Sequence, residues 1–90
     1  MTVYRKLQIS GRVQGVGFRD ATLDKARELG VKGTVRNLTD GRVEIVAHAK
    51  ESTMKDFERW CRQGPSGSRV KDVIVAGAQP GDHHEFRIIG

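Results

Sequence analysis

The sequence predicts an α+β fold, because five strand-like segments and two helical segments follow one another in the order β-α-β-β-α-β, with a short extra strand at the end. This order is typical of a ferredoxin-like two-layer sandwich, in which two helices cover one face of an antiparallel sheet. The strands are indicated by alternation, the helices by apolar stripes, and the connections by glycine-rich turns. With 90 residues, the chain is expected to form a single domain over residues 1–90.

The strands follow from alternating apolar and polar side chains. In the first strand, Leu7 and Ile9 alternate with Lys6 and Gln8. A tight turn is expected at Thr39-Asp40-Gly41, between the second and third strands. The predicted strands span residues 3–9, 31–38, 42–48, 70–76 and 85–89.

The first helix is predicted over residues 20–29 and ends at Gly30, a residue typical of helix C-termini. The second is expected to begin at Ser52 or Thr53, with Asp56 placed to complete a capping box. We expect Cys61 to be a packed thiol rather than a nucleophile, because it falls on the apolar stripe of this helix. That stripe consists of Met54, Phe57, Trp60 and Cys61.

The segment Gly11–Arg19, between the first strand and the first helix, is the strongest candidate for a functional site. Its glycines permit a turn whose backbone amides converge on an anion, and the following helix N-terminus adds further free donors. Arg19 is placed to close over a phosphate with its planar guanidinium. The glycines have an alternative interpretation, in which they serve only a tight strand-to-helix turn.

Two nucleotide-binding fingerprints are excluded for this loop. A P-loop would require Gly-Lys-Ser/Thr at its end, whereas Gly17 is followed by Phe18. The dinucleotide fingerprint would require a small residue where the chain has Asp20. An acidic side chain at this position suits the first turn of a helix but opposes an incoming phosphate.

A formal net charge of +5 favours anionic partners, either a polyanion or a small anionic substrate. A binding module for nucleic acid or for a phosphorylated partner is therefore a competing hypothesis. RNA-binding sheets of this fold present stacking aromatics on the first and third strands, where this chain has only Tyr4. A nucleic-acid partner is accordingly disfavoured.

No segment has the apolar length of a membrane span, and the N-terminus lacks a signal-peptide core. The single cysteine, Cys61, cannot form an internal disulfide. With no secretion signal and no membrane span in the sequence, we expect a cytoplasmic protein without a membrane partner. His48 is isolated in sequence, and His83 and His84 are expected to be exposed in a loop. Their spacing indicates no metal site.

Two motifs together resemble one family. The segment Gly11–Arg19 resembles the signature loop of acylphosphatases, and Gly33–Glu44 resembles their second signature. The resemblance extends over essentially the whole chain. One departure is Thr34, where many members of the family carry a bulky aromatic residue.

The resemblance implies hydrolysis of the carboxyl–phosphate bond of acyl phosphates, with Arg19 binding the phosphoryl group and Asn37 orienting the attacking water. By its position alone, Asn37 could equally stabilise a turn. The resemblance also implies catalysis without a cofactor or metal, with inorganic phosphate as product and competitive inhibitor. For a chain of 90 residues we expect a monomer. A regulatory or accessory domain of the same family is an alternative to a stand-alone enzyme. The phosphate-binding residues implied by the motif are Gln14, Gly15, Val16, Gly17, Phe18 and Arg19.

Overall fold

The computed structural model describes residues 1–90 and contains one five-stranded sheet, with the strands in the order β4-β1-β3-β2-β5. The first four strands pair antiparallel, which is the ferredoxin-like arrangement. The fifth strand pairs parallel to β2, so the complete sheet is mixed. The predicted α+β fold is confirmed. Its elements are β1 (Thr2–Arg12), α1 (Phe18–Leu29), β2 (Lys32–Asn37), β3 (Val43–Lys50), α2 (Glu51–Gln63), β4 (Arg69–Gly77) and β5 (Phe86–Ile88).

The hydrophobic core lies between the two helices and one face of the sheet. Alternate residues of the central strands point into it, among them Leu7 and Ile9 of β1 and Ile45 of β3, all fully buried. The second helix contributes Phe57 and Cys61, which are also fully buried. Fully burying one such apolar side chain stabilises the fold by about 1.5–3 kcal/mol. Neither helix is long and apolar enough to cross a membrane.

Both helices begin earlier than the sequence indicates. The first starts at Phe18, after Gly17 in the left-handed conformation, so Asp20 lies within its first turn. The predicted cap at Ser52 or Thr53 is wrong, because α2 starts at Glu51 directly after β3 and has no side-chain cap. The carbonyl oxygen of Met1 instead accepts the Glu51 N–H at 3.0 Å, which satisfies one of the first donors of the helix.

The other face of the sheet carries no helix and is partly covered by the crossing segment, residues 78–85, which connects β4 at one edge to β5 at the other. His48 stacks on Tyr4 with ring centroids 5.0 Å apart, and His83 of the crossing segment packs against His48 at 5.7 Å. The prediction of an exposed residue is therefore wrong for His83, which is half-buried, whereas His84 is exposed. His48 is likewise not isolated in the fold.

Candidate active site

The loop between β1 and α1 reverses the chain through two glycines in the left-handed region. Gly15 has φ of 74° and Gly17 has φ of 76°, conformations that cost a residue with a Cβ roughly 1–2 kcal/mol. These conformations turn the chain sharply into α1, which begins at Phe18. The loop residues Val13 and Phe18 are buried and hold the turn against the core.

The loop presents a row of unpaired backbone donors. None of the N–H groups from Gln14 to Asp20 donates to an acceptor of the protein, and the first such bond of α1 runs from Ala21 to the Gly17 carbonyl. Free donors are ordinary in the first turn of a helix, but here they continue backwards through the loop. Consecutive free amides of this kind form a concavity suited to an anion.

Arg19 lies in the first turn of α1 and is half-buried. Its Nη1 donates a hydrogen bond to the backbone oxygen of Gly90, which follows β5. The same oxygen accepts the backbone N–H of Asn37 at 3.2 Å. The end of the chain after β5 therefore contacts both residues to which the family motif gives a role.

Asn37 is the last residue of β2 and is half-buried. Its side-chain Oδ1 is completely buried and has no hydrogen-bond partner. An unpaired buried oxygen is destabilising by roughly 1–3 kcal/mol unless a water or a ligand donates to it. This oxygen therefore has no protein donor to give up when a water binds.

The side chain of Gln14 holds the loop against the turn between β2 and β3. Its Nε2 donates to the carbonyl oxygens of Leu38 at 2.8 Å and Arg42 at 2.9 Å. Leu38 directly follows Asn37, so one carboxamide connects the glycine loop to the strand end that carries Asn37. The sequence motif identifies Gln14 but does not reveal this contact.

A cavity of about 270 Å³ opens between the loop and the end of β2. It brings together five of the predicted site residues: Gly15, Gly17, Phe18, Arg19 and Asn37. Gln14 and Val16 do not line it; Gln14 is directed to the turn, and Val16 packs against the core. Three further residues complete the wall: Val13, Asp20 and Ile88.

Arg19 is the one basic side chain that lines this cavity. Two other arginines near the end of β2 have acidic partners, since Arg42 pairs with Asp40 at 2.8 Å and Arg36 with Glu44 at 2.9 Å. A hydrogen bond from the Arg42 backbone amide, together with contacts from its guanidinium, lowers the pKa of Asp40. These pairs leave Arg19 as the cation best placed to meet an anion in the cavity.

Cys61 is fully buried in α2 and does not line the cavity. Burial raises the pKa of its thiol far above the ordinary value, so the nucleophilic thiolate is strongly disfavoured. The prediction that Cys61 is a packed thiol is confirmed.

The fold and the cavity define a small α+β protein with a backbone anion cradle beside a single arginine. The family model for acylphosphatase matches residues 5–88, and the chain belongs to the acylphosphatase family. An acylphosphatase of Anaeromyxobacter sp. (strain Fw109-5) is 49% identical over 81 residues, covering 89% of this chain and 87% of the relative. The acylphosphatase function expected from the two motifs is thereby confirmed.

Solved structures agree with this assignment. The acylphosphatase from Bacillus subtilis superposes with a TM-score of 0.93 at 35% identity, and the alignment covers 100% of both chains. An acylphosphatase from Coxiella burnetii gives a TM-score of 0.93 at 33% identity, covering 98% of this chain and 93% of the other.

Proposed function

We propose that this protein hydrolyses acyl phosphates in the cavity between the glycine loop and β2. In this proposal the amides from Gln14 to Arg19 and the Arg19 guanidinium hold the phosphoryl group, and Asn37 orients the attacking water. The observation that carries it is the row of unpaired amides beside the buried, unpartnered Oδ1 of Asn37.

The amides and the guanidinium suit the phosphoryl group because they supply fixed donors where negative charge is concentrated. A phosphoryl transition state is loose, so catalysis depends mainly on positioning and on charge stabilisation. To bind substrate, Arg19 exchanges its hydrogen bond to the Gly90 oxygen for bonds to the phosphoryl oxygens. The guanidinium is thus held close to its working position before substrate arrives.

Asn37 acts as an orienting group and not as a base, since a carboxamide does not ionise in this range. Its Oδ1 accepts a hydrogen bond from the water, which directs an oxygen lone pair at phosphorus. As the water oxygen bonds to phosphorus, the bond from phosphorus to the acyl oxygen breaks and the carboxylate departs. A carboxylate is a good leaving group, so no general acid is required. The proton of the water passes to the product phosphate or to solvent.

Several properties accompany this mechanism. The cradle and arginine supply the charge stabilisation themselves, so we expect activity without an added metal or cofactor. Product phosphate should compete with substrate, because it fits the same donors. We further propose a monomer built of one domain over residues 1–90. A cytoplasmic location stays a prediction.

Hydrolysis of a model acyl phosphate tests the two assigned roles. We expect Arg19→Ala and Asn37→Ala each to lower kcat/KM by roughly 10²–10³-fold, the usual effect of removing a preorganised polar group. Arg19→Ala should also weaken inhibition by phosphate, whereas Asn37→Ala should act mainly on kcat. The control is Arg27→Ala, an exposed arginine in the last turn of the same helix.

Circular dichroism establishes that each variant is folded. Full activity in either the Arg19 or the Asn37 variant would contradict its assigned role. Loss of wild-type activity in the presence of a chelator, restored by magnesium, would contradict the metal-independent mechanism.

A further inference from the structure

The cavity carries a charged side chain to which the proposed mechanism gives no part. Asp20 lines the cavity together with Arg19, and its side chain is exposed. None of the five ion pairs of the protein includes it. An acidic residue without an ion-pair partner thus lines the proposed phosphoryl site, so the lining contains one positive side chain, Arg19, and one negative side chain, Asp20.

We propose that Asp20 selects substrates by the charge of their acyl group, favouring neutral or cationic acyl phosphates over those that carry a second anion. The inference rests on the proposed function. The phosphoryl group occupies the amides of the loop, so the acyl group extends towards the opening of the cavity. We infer that its carboxylate lies at that opening, because Asp20 is both exposed and part of the wall.

The size of the effect follows from Coulomb's law. For unit charges roughly 7 Å apart at an effective dielectric constant of roughly 40, the interaction changes binding about three- to tenfold. Asp20 repels the phosphoryl group of every substrate, and this effect is common to all acyl groups. Only the interaction with the acyl group itself distinguishes one substrate from another.

Asp20 also has a purely structural role available. An acidic residue in the first turn of a helix interacts favourably with the unpaired N–H groups there. That role predicts a change of stability on substitution and no change in the preference among substrates. The ratio of kcat/KM values for two substrates is therefore the readout that distinguishes the two roles.

The experiment compares three substrates of similar shape: benzoyl phosphate, 4-carboxybenzoyl phosphate and 4-(trimethylammonio)benzoyl phosphate. We expect the wild type to prefer the cationic and neutral substrates to the anionic one. In Asp20→Asn, the ratio of kcat/KM for benzoyl to 4-carboxybenzoyl phosphate should fall about three- to tenfold. High salt should reduce the same ratio in the wild type, because the charges are solvent-exposed.

Asp24→Asn is the matched control. Asp24 is exposed, lies one turn further along α1 and does not line the cavity, so the variant has the same change in net charge. An unchanged ratio in Asp20→Asn, or an equal change in Asp24→Asn, would overturn the inference while leaving the proposed function intact. Failure of the wild type to hydrolyse any of the three substrates would overturn both.

Discussion

The contact between Gln14 and the β2–β3 turn leads to a quantitative prediction, because it joins the phosphate loop to the strand end that carries Asn37. Substituting Gln14→Ala removes both hydrogen bonds, of 2.8 and 2.9 Å. The two carbonyl oxygens keep other donors: Gly41 N–H at 3.2 Å for Leu38, and Leu38 N–H at 2.8 Å for Arg42. No orphaned acceptor results, so we expect a loss of about 1–2 kcal/mol in the free energy of unfolding.

The expected kinetic effect is larger than the effect on stability. Without the contact, Asn37 loses one of the links that hold it relative to the cradle, and a displacement on the order of 1 Å can reduce a rate by up to about a hundredfold. We expect kcat to fall about ten- to a hundredfold. The Ki for inorganic phosphate should stay within about threefold, because the cradle and Arg19 are retained.

The assay combines steady-state hydrolysis of benzoyl phosphate, inhibition by phosphate, and urea unfolding of the same variants. Gln79→Ala is a suitable control, since Gln79 is exposed and lies in the crossing segment. Gln14→Lys tests whether a different donor restores the contact, because its ammonium group can donate to both carbonyl oxygens. The reasoning is refuted if phosphate affinity falls by the same factor as kcat, or if kcat is unchanged although stability is lost.

Two further predictions concern the open face of the sheet. Burial lowers the pKa of His48, which favours its neutral form in the folded state. Below about pH 6.5 the unfolded state therefore binds more protons than the folded state. The free energy of unfolding consequently falls as the pH decreases through that region. Urea unfolding between pH 7 and 5 should show this loss of stability, and the loss should be smaller in His48→Gln. An equal dependence of the free energy of unfolding on pH in that variant would contradict the assignment to His48. Thr34 lies between Val46 and Arg87 on neighbouring strands, so Thr34→Tyr should stabilise the protein by about 0.5 kcal/mol through cross-strand packing. An unchanged or lower urea midpoint would show that the small residue fits better there.

The sequence predicts the elements that depend on local pattern. Alternation identifies the strands, and the glycines identify the loop whose φ values they permit. The predicted cap of α2 fails because its partner is distant in sequence: the Met1 carbonyl accepts the Glu51 N–H. A local motif cannot reveal that a residue 50 positions away, Met1, accepts this N–H.

Contacts between residues distant in sequence also limit what could be predicted of the active site. Arg19 and Asn37 lie in recognisable motifs, but Ile88 belongs to a strand whose place in the sheet no local signal determines. Only its parallel pairing with β2 brings it to the cavity. The contact of Gln14 with Leu38 and Arg42 also joins segments far apart in sequence, so it becomes visible only in the folded chain.

The parallel pairing of β5 with β2 explains why Ile88 lines the cavity beside the glycine loop and the end of β2. Parallel strands direct their carboxyl ends to the same edge of a sheet, so the end of β5 arrives beside Asn37 at the end of β2. A parallel neighbour requires a long connection, and the crossing segment provides it from the opposite edge of the sheet. The Gly33 N–H donates to the Glu85 carbonyl at 3.1 Å, which fixes this segment immediately before β5. Contacts of the crossing segment on the open face, including His83 on His48, therefore bear on the position of Ile88 and of the oxygen that holds Arg19.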